Sequence, residues 1–152
     1  MRPENEINMK LAVACDHAGL ELKAKVKEVL ESEGHTVEDL GCYSHESCDY
    51  PEFAKKLCKG VLDRRFDRGI LVCGTGLGMS YTANRYKGIR AALCLNTYMA
   101  EMARAHNDAN VLVLGARILD DDTAREIVRV WMNTPFEGGR HLRRIQKIDD
   151  DD

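Results

Sequence analysis

The strongest constraint in this sequence is an alternation of short apolar runs with longer segments of helical period. Five runs read as strands: "MKLAVAC" (9–15), "TVEDLG" (36–41), "RGILVC" (68–73), "GIRAALC" (88–94) and "NVLVLG" (110–115). They read as apolar throughout rather than alternating, the pattern of parallel strands covered on both faces by crossover helices. Between the first two, "LELKAKVKEVLESEG" repeats Leu22, Val26, Val29 and Leu30 at helical spacing and stops at Gly34. Pro51 opens "PEFAKKLCKGVLDR", whose Phe53, Leu57 and Val61 line one face. "MSYTANRY", "TYMAEMARAHND", "DTAREIVRVWMN" and "GGRHLRRIQKID" read as further helices. The architecture that fits is a doubly wound, three-layer α/β/α sandwich with five parallel strands. A chain of 152 residues is expected to form one domain, with 9–148 as its core and 1–8 and 149–152 as flexible ends.

Composition excludes several functions. The net charge of −3 offers no strong attraction for nucleic acid or an anionic membrane. No apolar run approaches the roughly 20 residues of a membrane helix. "MRPENEIN" lacks the apolar core of a signal peptide, so the expected compartment is the cytoplasm. The six cysteines show no CxxC spacing, which argues against a zinc site. Most of them are expected to be reduced, small, buried hydrophobes, Cys58 and Cys94 above all.

In an open parallel sheet, ligands bind at the carboxyl ends of the strands. Cys15-Asp16-His17, Cys73-Gly74-Thr75-Gly76 and the Arg117 region fall at such ends. In "GILVCGTGLGMS", Gly74, Gly76 and Gly78 allow close backbone approach, and a helix follows whose free N–H groups suit an anion or a developing oxyanion. The spacing is GxGxG and no Walker lysine follows, so the nucleotide fingerprints are not matched. Helix amides favour a thiolate, so Cys73 reads either as base or nucleophile, or as a buried strand-end thiol. A thiol phosphatase would need an arginine six residues on, where this chain has Met79. Arg140 and Arg144 share a helical face with Lys147 beyond them, a pattern that fits a phosphate or a solvated basic surface. His17 and His106 each stand beside an acid at the edge of a regular element, whereas His35 and His45 read as surface residues. His106 lies just before the fifth strand, at the wrong edge for a site at the carboxyl ends.

"CDHAG", "DYP", "GILVCGTGLGMS", "GIRAA", "HNDANVLVLGAR" and "EGGRH" occur in that order. Together they resemble the ribose-5-phosphate isomerase B family, which includes galactose-6-phosphate isomerase subunits. The likeness runs from about Lys10 to Ile148. It implies a flavodoxin-like sandwich and an aldose–ketose isomerisation of a phosphorylated sugar with no metal or other cofactor. By position Cys73 would be the base; another branch of the family uses a glutamate at the place of Met79. Thr75 and the amides of Gly74, Gly76 and Gly78 would stabilise charge on the sugar oxygens, with Ser80 also at the substrate. His106 would open the furanose ring, and Asp16 would orient hydroxyls. His17, Arg117, Arg140 and Arg144 would hold the phosphate, and Tyr50 and Asn107 would line the pocket. The resemblance further implies a homodimer or a dimer of dimers with a shared site, the Cys73 loop from one subunit and the His106 and arginine groups from the other. The expected reaction is ribose 5-phosphate to ribulose 5-phosphate. The alternatives are an allose or galactose 6-phosphate isomerase and, in another class, a non-catalytic nucleotide-binding module.

Overall fold

The computed structural model describes residues 8–150. Its strands are β1 (Lys10–Cys15), β2 (Thr36–Asp39), β3 (Arg68–Cys73), β4 (Ala91–Leu93) and β5 (Val111–Gly115). Its helices are α1 (Leu20–Ser32), α2 (Tyr50–Leu62), α3 (Leu77–Ala83), α4 (Thr97–Ala105), α5 (Asp121–Asn133) and α6 (Arg140–Ile145). All described strand pairs are parallel.

Burial follows from alternation along each strand. Leu11, Val13, Ile70, Val72, Leu112 and Leu114 join a core on one side of the sheet with α1, α4 and α5. Ala12, Ala14, Leu71, Cys73, Val111 and Val113 join a core on the other side with α2 and α3. The central strands β1, β3 and β5 are therefore apolar at both parities, as a covered parallel sheet requires. Helix α5 shows how local chemistry agrees with this. Asp120 Oδ1 accepts from Thr123 N at 2.7 Å, and Asp121 and Asp122 face the positive end of the helix dipole. Ala124, Ile127, Val128 and Trp131 then recur at helical spacing and are fully buried.

The three-layer architecture matches the sequence reading, but two details differ. The strand order is β2-β1-β3-β5-β4, whereas the flavodoxin-like order is 2-1-3-4-5. The exchange has a physical cause. Strand β4 has three residues, all only half-buried, whereas β5 has five fully enclosed ones. The shorter, wetter strand goes to the edge. Edge strand β2 also alternates between exposed and half-buried, so it is not apolar throughout. The expected flexible ends lie partly outside the described residues, at 1–7 and 151–152. Asp149, counted with the tail, is anchored: its Oδ2 accepts from Gly88 N at 2.9 Å. Among the described residues, no helix is long and apolar enough to cross a membrane.

Leu112 is fully buried between β3 and β4. Leu112→Ala should lower the unfolding free energy by about 2–5 kcal/mol, read from urea unfolding followed by circular dichroism.

Candidate active site

Three loops meet at the carboxyl edge of the sheet. Cys73 ends β3 at 5% exposure, directly opposite Gly115 of β5. The turn after β5 is zipped to the loop after β3: Ala116 N donates to Cys73 O at 2.8 Å and Arg117 N to Gly74 O at 2.9 Å. No side chain fits at Gly115, since a Cβ there would stand 2.5 Å from Thr75 O. Gly76 takes φ +85° to turn the loop into α3, and Thr75 Oγ1 accepts from Leu77 N at 3.2 Å. The exposed Arg117 reaches back over the loop, with Nη1 3.1 Å from where a Gly74 Cβ would be. Tyr50 lays its ring against Gly78, whose missing Cβ would fall 2.4 Å from Cε1. Ser80 sits half-buried one turn into α3.

The loop after β1 closes the other side. Asp16 N donates to Val72 O at 3.2 Å, and its Oδ1 accepts from Ala18 N at 2.9 Å. Part of that carboxylate therefore caps the short 3₁₀ turn His17–Gly19. His17 Nδ1 accepts from Cys48 N at 3.3 Å, which leaves Nε2 as the ring donor. Thus Asp16, His17, Tyr50, Cys73, Gly74, Thr75, Gly76, Gly78, Ser80 and Arg117 share one edge.

Three thiols lie in the core away from the loop. Burial pushes Cys15, Cys58 and Cys94 up to about 12, for Cys15 against the opposing pull of Lys23. All six cysteines are free, and Cys58 and Cys94 are buried in the core, the place expected of them. Met79 is fully enclosed beneath the Cys73 loop.

His106, Asn107, Arg140 and Arg144 are not brought to this edge. His106 caps the end of α4, and Arg90 Nε donates to Asn107 O at 2.9 Å beside the start of β4. That is the amino edge, about 13 Å from Gly115 along β5 at ~3.3 Å per residue. Helix α6 packs there too: the His106 and His141 rings stack with centroids 4.1 Å apart and planes 9° apart. Arg140 and Arg144 are exposed on α6. Between the two edges, a groove of about 610 Å³ follows the open side of β4, with Asn107 and Leu93 among its walls. Leu93 Cδ1 is also the atom that a Gly76 Cβ would strike at 2.5 Å.

Two residues of the amino edge escaped the sequence reading. Glu137 Oε1 lies 3.7 Å from His106 Nε2 and 3.4 Å from His141 Nε2. The available signal was "EGGRH", which sets a carboxylate and an imidazole four residues apart. Among the described residues, His106, Glu137 and His141 form a group whose donor atoms lie within 4.8 Å of one another, near enough to share a metal ion. Their nearly parallel rings aim their in-plane lone pairs side by side, so one ring would have to rotate before both nitrogens met an ion.

Residues 11–148 match the model of a family described as Ribose/Galactose Isomerase. The chain belongs to that family. A crystal structure of a ribose 5-phosphate isomerase from Thermotoga maritima is 57% identical and superposes with a TM-score of 0.91, covering 94% of this chain and 99% of that one. Ribose-5-phosphate isomerase B of Escherichia coli is 42% identical over 139 residues, 91% of this chain and 93% of that protein. A family structure from Mycoplasma genitalium, 42% identical with a TM-score of 0.87 and covering 91% and 93% of the two chains, holds bound ribulose-5-phosphate.

Gly115→Ala should push Thr75 and the Cys73 loop out of register. Thermal unfolding should report a loss of about 1–3 kcal/mol, and turnover of the family's sugar phosphates should fall in parallel.

Proposed function

We propose that this chain interconverts ribose 5-phosphate and ribulose 5-phosphate. The observation that carries the reading is the convergence of a strand-end thiol, a glycine-rich loop opening a helix, and the exposed Arg117 at one edge. The thiolate of Cys73 takes the proton from C2 of the open-chain aldose. The C–H electron pair becomes the C1=C2 bond of an enediolate, and charge moves onto O1. The proton on O2 then passes to O1, the O2 electrons close the C2=O bond, and the C1=C2 pair takes the proton back from the Cys73 thiol at C1, giving the ketose and regenerating the thiolate. No oxidant or reductant is consumed, so the step calls for no redox cofactor. Thr75 and the amides of Gly74, Gly76 and Gly78 stabilise the enediolate oxygens. Asp16 orients the sugar hydroxyls with the oxygen not used in its cap, while Ser80, Tyr50 and Asn107 bound the pocket. His17, Arg117, Arg140 and Arg144 hold the phosphate.

The protein works as at least a homodimer with shared sites. His106, Asn107, Arg140 and Arg144 lie at the amino edge of their own sheet, so a second copy has to bring them to Cys73. The β4 groove supports this, because its walls run from Asn107 to the Leu93 that packs on the Cys73 loop. Exposed Tyr98 (68%) and Met99 (38%) give it the aromatic and thioether character of interfaces. A thiol kept reduced suits a cytoplasmic setting. The family's description spans ribose and galactose isomerases, so a six-carbon phosphate is the alternative substrate; relative kcat/KM on ribose 5-phosphate and allose 6-phosphate separates the two.

Cys73→Ala should lower kcat by at least about 10²-fold with an unchanged circular dichroism spectrum; normal turnover would remove Cys73 from the chemistry. Dissociating and re-associating a mixture of Cys73→Ala and His106→Asn proteins should restore about a quarter of wild-type activity if a two-fold dimer shares its sites. Absence of any restoration would place both residues in a site within one protomer.

A further inference from the structure

Glu137 grips the end of α4 twice. Its N–H donates to Ala105 O at 3.0 Å, and its carboxylate faces Nε2 of both His106 and His141. Of the stacked pair, His141 is buried at 7% exposure, while His106 is half-exposed. Burial first, then the charges of His106, Arg140 and Arg144, hold the His141 imidazole below its ordinary range, with Glu137 opposing them. An enclosed ring therefore backs the exposed one, stacked against it. The turn beneath is braced as well. Buried Arg104 sends Nη1 to Asp108 Oδ1 at 2.8 Å and to Ala109 O at 2.9 Å, and Arg90 Nη2 donates to Asp108 O at 2.9 Å.

We infer that Glu137 and His141 are positioning residues for sugar-ring opening: the carboxylate fixes the edge of the His106 imidazole and the stacked His141 fixes its plane. The inference rests on the ring-opening role proposed for His106. In that step His106 takes the proton of the anomeric hydroxyl and delivers a proton to the ring oxygen. The bond from C1 to the ring oxygen breaks with its electron pair going to that oxygen, and the O1 electrons close the carbonyl. A ring held in one plane and at its Nε2 edge keeps both oxygens in reach of Nδ1, the nitrogen that Glu137 does not face. Glu137 also ties this histidine to the helix that carries Arg140 and Arg144, so acid–base group and phosphate grip keep one spacing.

The substrates supply their own control. Ribose 5-phosphate is mostly a closed furanose. Ribulose 5-phosphate carries its phosphate on the hydroxyl that would close the five-membered ring, and so stays open. A defect confined to ring opening therefore lowers saturated turnover in one direction only.

The experiment measures kcat and KM from both sides for the wild type, Glu137→Gln, Glu137→Asp, His141→Asn and His106→Asn, with circular dichroism as a check on folding. For Glu137→Gln, kcat on ribose 5-phosphate should fall at least about 10-fold while kcat on ribulose 5-phosphate changes by less than about 3-fold. Glu137→Asp should recover part of the loss, and His141→Asn should show the same one-sided pattern. Equal losses in both directions, or none, in Glu137→Gln and His141→Asn would overturn the positioning role while His106→Asn still showed a one-sided defect. A His106→Asn enzyme with no directional difference would instead remove His106 from ring opening, and the positioning role would fall with it. Should Glu137→Gln fail to fold, Glu137→Asp and His141→Asn decide the matter by the same comparison.

Discussion

The register between β3 and β5 governs the carboxyl edge. Placing Cys73 opposite Gly115 brings two chain reversals into backbone contact, and each limits the other. The Cys73 loop has its shape because Arg117 N and Ala116 N hold its carbonyls, and the turn after β5 can lie there only because Gly115 has no side chain. This depends on β5 rather than β4 standing next to β3. Had the strands followed chain order, the turn after β4 would lie against the thiol, and Arg117 would lie one strand further away.

The sheet also separates two chemical demands that conflict in one place. The base proposed at Cys73 is served by near-enclosure among backbone dipoles, where water does not compete. Arginines that capture a phosphate from solution need exposure and mutual spacing. Cys73 is 5% exposed at one end, while Arg140 and Arg144 stand in solvent at the other. Within a single subunit the two sets stay apart. The apolar groove beside β4 runs between them, and burying it against a second copy is the simplest way to bring them together.

Much of this was legible in the sequence. Strand β3 was read to the residue, because a central parallel strand is apolar at every position and is bounded by Arg68 and Gly74. The helices were placed within a few residues by their periodicity and caps. Strand order was not legible, since it depends on how a three-residue strand competes with a five-residue one for the interior. The edge strands were harder for the same reason: β2 and β4 are covered less than the pattern suggested. At the site, the residues after β1, β3 and β5 announced themselves by their position at strand ends. Glu137 and His141 did not. Glu137 meets His106 across 31 positions of chain, and only the packing of α6 onto the end of α4 reveals the contact.

The enclosure of Met79 bears on the choice of base. The family resemblance implies a second branch with a glutamate at this position. Here the thioether fills a dry space with no exposed surface, where a lone carboxylate would be costly to hold ionised. A glutamate introduced here alone would set its carboxylate in the apolar cluster that holds Met79. The base proposed at Cys73 and the packing beneath its loop are thus coupled: a carboxylate in place of the thioether calls for a floor of different polarity.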